Sequence, residues 1–213
     1  MEIQVQKDYY SNRKYASLER FISYFHQIDG IREMGPKSVL FIGVGDAMVT
    51  DFLKKIYQVT TMDIDSELKP DVVGDIRALP FKDGSFDIVC AFEVLEHVPL
   101  EEAAIALGEI ARVGRAGALI SVPHRRTGFE FILKFPYIRS LLKREFIRLA
   151  LLFPVRFPGF AVSKQHYWEI DGMTTSLRSF RDMLRKHFVI TKEVTPPLDC
   201  YRRFFFLTKK SRS

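Results

Sequence analysis

Up to residue 123 the chain alternates short apolar runs with segments of helical periodicity, and this alternation restricts the possible folds more than any other feature. The apolar runs are predicted strands at 38–42, 58–62, 71–75, 86–92 and 118–122. Runs that are apolar on both faces and joined by short connections are typical of parallel strands covered by helices. The pattern therefore predicts an α/β fold with a doubly wound, mostly parallel sheet and helices on both faces.

The helices are predicted from apolar residues that recur at three- and four-residue steps. They are expected at 9–28, 46–55, 100–113 and 175–187, and two closing strands are expected at 189–194 and 203–208. Gly30 and the Gly35-Pro36 pair are expected to end the first helix. Pro196-Pro197 makes a tight two-residue hairpin between the closing strands unfavourable, so a longer loop is expected there.

Length and composition favour one domain. A chain of 213 residues that is 47% hydrophobic can build a substantial core. We expect a single domain over 1–213, made of an N-terminal helical segment (1–35), a core (36–123), an insertion (124–165) and a C-terminal part of the core (166–213). The two cysteines fit neither a disulfide framework nor a metal cluster, so no metal site is expected. No signal-peptide or membrane-spanning pattern is found, which favours the cytoplasm.

The positive charge of the chain is concentrated in the insertion. The formal net charge is +6, and the stretch from Arg125 to Lys164 holds nine basic residues and two acidic ones. Such a segment fits an anionic partner, whether nucleic acid, a membrane surface or an acidic small molecule. The alternative is an ordinary amphipathic cap whose Lys and Arg stems cover apolar surface while their charges face water. Residues 137–152 are predicted to form an amphipathic helix within it.

The stretch VLFIGVGDA, residues 39–47, places Gly-x-Gly at the end of the first strand. A strand that ends this way lets the backbone approach a ligand and presents free amides at the following helix. Asp63 ends the next strand about 20 residues after Gly43, where a carboxylate can bind both hydroxyls of a ribose. Asp75 follows the third strand and suits an exocyclic amine. With Phe92 they predict a nucleoside-containing ligand at the carboxyl edge of the sheet.

Two residues of the loop discriminate between cofactors. A dinucleotide site requires a glycine where Met48 stands, and its pyrophosphate would be repelled by Asp46 at the start of the helix. S-adenosylmethionine has no phosphate and carries an ammonium and a sulfonium group, so it tolerates Asp46. The charge of the loop therefore favours the sulfonium cofactor.

VLFIGVGDA, TTMDID, GDIRALPFKDGSFDIVCAFEVLEHVP and GEIARVGRAGALISVP together resemble the class I S-adenosylmethionine-dependent methyltransferases of the broad small-molecule type. The resemblance covers about residues 37–123 by motif and the C-terminal residues by layout. It implies a Rossmann-like, seven-stranded sheet, S-adenosylmethionine as cofactor, and a helical cap after the fifth strand that covers the methyl acceptor.

The resemblance also assigns residues to the cofactor. The glycine-loop positions would contact its methionine end, Asp63 its ribose and Asp75 its adenine amine, while two isoleucines would flank the adenine ring. The implied set is Gly43, Val44, Gly45, Asp63, Ile64, Asp75, Ile76 and Phe92. The sequence departs from the family pattern at Phe41, where an acidic residue is usual, and at Ala47, where a third glycine is usual.

Methyl transfer from a sulfonium needs no acid, because the leaving group departs neutral, and positioning in a dry site supplies most of the acceleration. A base is needed only if the acceptor must lose a proton. His124, just past the fifth strand, is the better candidate, and His97, four residues after Glu93, is the other; each could instead have a structural role in its loop. His166-Tyr167-Trp168 has two interpretations, a wall of the acceptor pocket or an anchor for the insertion.

The expected function is methyl transfer from S-adenosylmethionine to a small acceptor, anionic or partly apolar, with peripheral membrane contact through the basic, aromatic insertion. An RNA methyltransferase is the first alternative, although the basic residues are mixed with large apolar ones and no separate RNA-binding module is present. No DNA partner is expected. A non-catalytic module that binds S-adenosylmethionine is the other alternative, motivated by Phe41 and Ala47.

Overall fold

The computed structural model describes residues 10, 15–135, 137, 142–143, 146–154, 165–172 and 174–210. The strands are β1 (Ser38–Ile42), β2 (Gln58–Asp63), β3 (Val72–Val73), β4 (Phe86–Phe92), β5 (Gly114–Pro123), β6 (Arg126–Leu133), β7 (Ile147–Pro154), β8 (Phe188–Val194) and β9 (Arg202–Lys209). The helices are α1 (Leu18–Met34), α2 (Met48–Leu53), α3 (Leu100–Val113) and α4 (Leu177–Arg185), with 3₁₀ helices at Ser66–Leu68 and Leu95–His97. Among the described residues no helix combines the length and hydropathy needed to span a membrane.

Seven strands form one sheet in the order β3-β2-β1-β4-β5-β9-β8. The strands from β3 to β5 run parallel, whereas β9 pairs antiparallel with both β5 and β8. The chain order reverses between β1 and β4, and in such sheets ligands bind beyond the carboxyl ends of the strands at this point. The predicted doubly wound, mostly parallel sheet of seven strands is confirmed.

The two faces of the sheet bury different side chains of the same strand. Leu40 and Ile42 of β1 pack in a core that includes residues of α3 and α4. Val39 and Phe41 pack on the other face, in a core that includes residues of α1 and α2. Because successive side chains of a strand point to opposite faces, a strand between two helical layers is apolar at every position. This explains the uninterrupted apolar run of β1.

Helix α1 begins and ends later than its periodicity predicts. Ser17 caps its start, accepting a hydrogen bond from the Arg20 amide at 3.3 Å, and Gly35 ends it in the left-handed conformation, with φ 60°. Gly30, expected as a break, lies inside the helix, where a Cβ would come 2.7 Å from Leu119 Cδ2. The glycine therefore allows the helix to pack closely on the sheet.

The second half of the core follows the predicted order with shifted ends. β4 and α3 have the predicted bounds, while β5 begins at Gly114 instead of residue 118. Gly117 lies inside β5, and a Cβ there would overlap the Leu207 carbonyl oxygen at 1.9 Å, so this glycine serves the contact with β9. β8 and β9 are joined by the predicted longer loop, residues 195–201.

The insertion after β5 differs from its prediction. β6 and β7 pair antiparallel, from Arg126 opposite Pro154 to Leu133 opposite Ile147. The predicted helix is therefore wrong for 147–152, and the helical cap is wrong for the described strands of the insertion. Most of 136–145 and all of 155–164 lie outside the described residues. Ile147 to Phe153 is apolar except for Arg148, so its periodicity could not exclude a strand.

Candidate active site

The loop between β1 and α2 has an unusual backbone. Gly43, Gly45 and Ala47 all have positive φ angles, at 86°, 59° and 63°. The Gly43 amide donates to the Met62 carbonyl at 2.9 Å, and a Cβ at Gly43 would lie 2.6 Å from Val94 Cγ2. The loop is therefore held between the end of β2 and the segment after β4, with room only for glycine at position 43.

Ala47 occupies the left-handed position where the family has glycine, and it precedes α2 without a side-chain cap. The left-handed conformation destabilises an L-residue by about 1–2 kcal/mol. Glycine avoids this strain, but the conformational entropy that it loses on folding costs about 0.5–1 kcal/mol more than for alanine. Ala47→Gly is therefore expected to raise the free energy of unfolding by about 0.5–1 kcal/mol in urea denaturation. Ala104→Gly in the helical backbone of α3 is the control and should lower the free energy of unfolding by about 1 kcal/mol. A change of the same sign in both variants would contradict this explanation.

Asp63 connects the end of β2 to the glycine loop. Its Oδ2 accepts the Val44 amide at 2.7 Å, and its Oδ1 accepts the Asp65 amide at 3.0 Å. Burial raises the pKa of Asp63, and the backbone donors of Asp65 and Val44 oppose that rise. Each carboxylate oxygen has a further lone pair for a ligand hydroxyl group.

A cavity of about 350 Å³ opens beside this loop. Of the residues predicted from the sequence, it is lined by Gly43, Val44, Gly45, Phe92 and His97. The other lining residues come from α1 and its preceding segment, β1, the loop and α2, the segment after β4, the end of the insertion and the start of β9. They are Tyr10, Tyr15, Arg20, Tyr24, Gln27, Phe41, Asp46, Val49, Glu93, Val94, Gln165, His166, Tyr201 and Arg202. Its volume is within the range of small-molecule sites, which is about 300–1,000 Å³.

Four residues of the predicted cofactor set do not line this cavity. Asp63 is connected to the cavity through the hydrogen bond that it accepts from the Val44 amide. Ile76 is 3% exposed and packs in the core, and Ile64 is half-buried. Asp75 accepts hydrogen bonds from Arg77 Nε at 2.9 and 3.1 Å, and this side-chain pairing is the main cause that lowers the pKa of Asp75.

Phe41 has an apolar function in this structure. Its ring is 5.4 Å from that of Phe92, which in turn lies 5.9 Å from Phe204. The polar contact that an acidic residue at position 41 would make with the loop is replaced by Asp46. Its carboxylate accepts hydrogen bonds from the Tyr24 hydroxyl at 2.6 Å and the Met48 amide at 3.2 Å. Asp46 thus ties the loop to α1 and assists the start of α2.

Glu93 and Arg202 form a buried ion pair at the cavity wall. Glu93 has φ 54°, its Oε1 accepts the Ser121 hydroxyl at 2.9 Å, and Arg202 Nε lies 3.5 Å from its Oε2. Burial raises the pKa of Glu93, while Arg202 lowers it. Arg202 also donates to Asp199 at 2.8 Å. A left-handed, non-glycine residue beside a ligand cavity is typical of functional sites.

His97 and His166 face each other at 5.1 Å between ring centroids and both line the cavity. His97 Nδ1 donates to the Gln165 carbonyl at 2.8 Å. Burial, and then the neighbouring His166, lower the pKa of His97 to about 4. His97 is therefore a neutral imidazole at neutral pH, with its proton on Nδ1.

His124 lies outside the cavity lining. Its side chain is buried, and its Nε2 donates to Asp171 Oδ2 at 2.7 Å. Burial lowers the pKa of His124 to about 4, although Asp171 opposes this change. The structure thus places His124 where it holds the segment that follows the insertion.

The lowered pKa of His124 predicts a loss of stability in acid. The folded state binds the proton more weakly than the unfolded state, so the stability is complete above about pH 6.5 and falls as the pH decreases toward about 4. This group accounts for about 3 kcal/mol of the decrease. His124→Gln keeps a donor for Asp171 and should flatten the profile of unfolding free energy against pH. An unchanged slope in the variant would contradict the assignment.

The residues of the His166-Tyr167-Trp168 cluster have different roles, so each interpretation fits one of them. Trp168 is 1% exposed, donates from Nε1 to the Val98 carbonyl at 3.0 Å and packs on Phe180 at 5.4 Å, so it anchors the end of the insertion. His166 lines the cavity. Tyr167 is 54% exposed.

Several lining residues were not singled out by sequence reasoning. Arg20, Tyr24, Tyr201 and Arg202 reach the cavity from α1 and from the start of β9, far from the glycine loop in sequence. No spacing connects them to that loop.

Comparison with known proteins agrees with this geometry. A family model described as a methyltransferase domain matches residues 40–122. The norajmaline N-methyltransferase of Rauvolfia serpentina is 38% identical over 82 residues, which make up 37% of this chain and 27% of that protein. The match therefore spans about a quarter of the length of that curated relative.

Two solved structures share the fold. The N-methyltransferase NodS from Bradyrhizobium japonicum WM9, in complex with S-adenosyl-L-homocysteine, has a TM-score of 0.57 at 11% identity and covers 95% of each chain. The magnesium protoporphyrin IX methyltransferase of Synechocystis PCC 6803, with bound S-adenosylhomocysteine, has a TM-score of 0.58 at 16% identity, covering 91% of this chain and 84% of the other. Residues 40–122 therefore match a methyltransferase domain, and the chain has the fold of the class I S-adenosylmethionine-dependent methyltransferases.

Proposed function

We propose that the protein transfers the methyl group of S-adenosylmethionine to a small acceptor by in-line displacement. The observation that carries this proposal is the cavity of about 350 Å³ at the switch point of the sheet, lined by the Gly43–Gly45 loop. The match of residues 40–122 to a methyltransferase domain and the S-adenosylhomocysteine named in the two similar structures support it. We also propose that residues 1–213 act as one domain, with the cofactor core at 36–123.

The cofactor roles follow the geometry of the sheet edge. The backbone of Gly43, Val44 and Gly45 would contact the methionine end, and Asp63 would bind the ribose while it holds the Val44 amide. Asp75 would bind the adenine amine, with Ile64 and Ile76 along the ring. Since Asp75 already pairs with Arg77, adenine would share this carboxylate with a guanidinium.

The charged end of the cofactor finds partners on the α1 side. Arg20 lines the cavity and stacks over Tyr15 at 4.3 Å, so its guanidinium can meet the methionine carboxylate. Tyr24 and Phe92 present rings to the same cavity. Aromatic faces attract cations, which suits the sulfonium group.

The acceptor is proposed to enter beside His97, which is neutral and a weak base. This setting favours an acceptor atom that attacks as a neutral lone pair, such as a nitrogen, and the N-methyltransferases among the similar proteins support that choice. His124 is proposed as a positioning residue that acts through Asp171. A small, partly apolar or acidic acceptor suits the insertion at the mouth of the site.

Calorimetry with S-adenosylhomocysteine tests the cofactor assignment, and the expected result is micromolar binding at one site per chain. No binding at millimolar ligand by the folded protein would refute it. Transfer of a labelled methyl group from S-adenosylmethionine to amines and aromatic or fatty acids then tests catalysis. Binding without transfer to any acceptor would favour the non-catalytic module.

An RNA acceptor is the second candidate, favoured by the exposed lysines Lys134 and Lys143 in a segment with nine basic and two acidic residues. It predicts RNA binding that weakens with salt and is lost in Lys134→Glu/Lys143→Glu. Absence of RNA binding at low salt would eliminate this candidate.

A further inference from the structure

Glu96 is a buried group that the cofactor site does not explain. Its side chain is 0% exposed, and neither carboxylate oxygen has a hydrogen-bond partner in the described part of the chain. Buried polar groups are nearly always paired, so an unpaired carboxyl group indicates a missing partner.

Two imidazoles lie beside this carboxylate. One potential ligand atom from each of Glu96, His97 and His166 lies within 4.8 Å of the other two. His97 Nδ1 donates to the Gln165 carbonyl at 2.8 Å, and His166 Nδ1 donates to Glu169 Oε1 at 2.9 Å. Histidines that bind metals commonly donate one ring N–H to a carbonyl or carboxylate and bind the ion through the other nitrogen.

We propose that Glu96, His97 and His166 bind one divalent transition-metal ion, for which Zn²⁺ fits the donor set best. Two histidines and one glutamate are a ligand set of catalytic zinc sites, in which a further position stays open to water or substrate. His97 and His166 line the cavity, so the open position faces it. Resting on the proposed function, that position takes the acceptor heteroatom and holds it near the methyl group. The sequence-based expectation of no metal site considered cysteine ligands and not this cluster.

Metal uptake tests this proposal on the full chain. Chelator-treated protein is titrated with ZnCl₂, and Co²⁺ is bound in its place and followed by visible absorption. We expect one ion per chain, with binding at least about tenfold weaker in His166→Ala and in the isosteric Glu96→Gln. His187→Ala, at a separate cavity beside Lys186 and Gly108, should bind the metal like wild type.

No stoichiometric Zn²⁺ uptake by folded wild-type protein would overturn the metal site, as would unchanged affinity in both His166→Ala and Glu96→Gln. Binding of S-adenosylhomocysteine is measured on the same metal-free samples. Its loss would count against the proposed function, whereas its presence without metal uptake would count only against the metal site.

A second and independent observation concerns the β6-β7 hairpin, which presents an apolar face to solvent. Phe131 lies opposite Leu149, and Phe129 opposite Leu151, so alternate residues of both strands share this face. Its members are large and between 44% and 68% exposed, namely Phe129, Phe131, Leu133, Leu149, Leu151 and Phe153. Contiguous exposed apolar side chains of this extent mark interaction surfaces.

The opposite face fixes the hairpin to the body of the protein. Arg148 donates to the carbonyls of Thr195 at 2.6 Å and Pro196 at 3.2 Å. Glu130 forms an ion pair with Arg148 and accepts the Leu198 amide at 2.9 Å. The apolar face therefore points outward, and turning it inward would break these contacts.

The charge near the hairpin indicates what this face contacts. Lys134 and Lys143 are exposed, and near them in the chain Phe135 and Tyr137 are 55% and 79% exposed. Apolar and aromatic side chains flanked by lysines are typical of surfaces that lie in the interface of anionic membranes. We propose that the apolar face of the hairpin binds a membrane surface that contains anionic lipids.

Co-sedimentation with vesicles of equal parts phosphatidylglycerol and phosphatidylcholine tests this proposal. Wild type should bind, and Phe131→Asp/Leu149→Asp should bind at least about tenfold more weakly, because both charges enter the centre of the apolar face. Lys134→Glu/Lys143→Glu should lose the preference for anionic over pure phosphatidylcholine vesicles. Ile105→Asp/Val189→Asp, at exposed apolar positions elsewhere, is the matched control and should bind like wild type.

Wild type that stays in the supernatant would overturn the membrane proposal. It would also be overturned by a dimer in sedimentation velocity that Phe131→Asp/Leu149→Asp dissociates, since a second copy would then cover this face. Circular dichroism of each variant verifies its fold.

Discussion

Gly43→Ala should destabilise the protein by about 2–5 kcal/mol and prevent tight binding of S-adenosylhomocysteine. Two costs add at this position. Alanine at φ 86° is strained by about 1–2 kcal/mol, and its Cβ would lie 2.6 Å from Val94 Cγ2, a contact that costs about 1–3 kcal/mol to relieve. Relief by backbone movement would displace the loop that lines the cavity, so cofactor affinity falls together with stability.

A matched variant separates these costs. Gly84 also has a positive φ, 63°, but a Cβ there would meet only Arg115 Cβ at 4.0 Å, so Gly84→Ala should show the strain alone. Val94→Ala combined with Gly43→Ala should recover part of the stability, in a double-mutant cycle measured by urea denaturation. Equal destabilisation in Gly43→Ala and Gly84→Ala would show that Val94 does not restrict the loop.

Asp63→Ala should weaken S-adenosylhomocysteine binding by about 10- to 100-fold, since hydrogen bonds to a charged group contribute about 1.5–3 kcal/mol. The substitution removes the acceptor of the Val44 amide at 2.7 Å and of the Asp65 amide at 3.0 Å, as well as the proposed ribose contact. Asp63→Asn keeps one acceptor for Val44 and should show an intermediate affinity in calorimetry.

The control for Asp63 is a carboxylate with a similar structural role outside the cavity. Asp71 accepts the Thr61 amide and hydroxyl, each at 2.8 Å, so Asp71→Ala should lower stability without a comparable loss of cofactor affinity. If the two alanine variants bound S-adenosylhomocysteine equally well, Asp63 would have no specific role in recognition.

The core was largely predictable from sequence because its information is local. β4 and α3 were placed at their observed bounds, since a strand buried on both faces is continuously apolar and a helix between core and solvent repeats every three to four residues. Helix α1 was misplaced because its start depends on the Ser17 cap. Gly30 was wrongly expected to break the helix, because periodicity does not show that a glycine is needed there to pack closely on Leu119.

In the candidate site, too, the residues set by local sequence were predicted and those set by long-range contacts were not. Gly43, Gly45 and Phe92 were predicted at the carboxyl edge of the sheet because Gly43 and Gly45 lie in the loop after β1 and Phe92 ends β4, and the carboxyl ends of parallel strands meet at one edge. Arg202 was not placed there, and for His166 a pocket wall was only one of two interpretations, since only folding brings the start of β9 and the end of the insertion to this edge. His124 was expected near the ligand, but the structure buries it against Asp171.

By itself, the sequence determined the α/β class, the methyltransferase domain at 40–122 and the position of the glycine loop, because these depend on local periodicity and on residues adjacent to strand ends. The tertiary structure decided which distant side chains meet and how the insertion after β5 folds. It brought Glu96 and two histidines together, and through pairing of β6 with β7 it turned a predicted helix into a hairpin with an outward apolar face. Both outcomes depend on contacts between residues far apart in the chain, which no local pattern of side chains encodes.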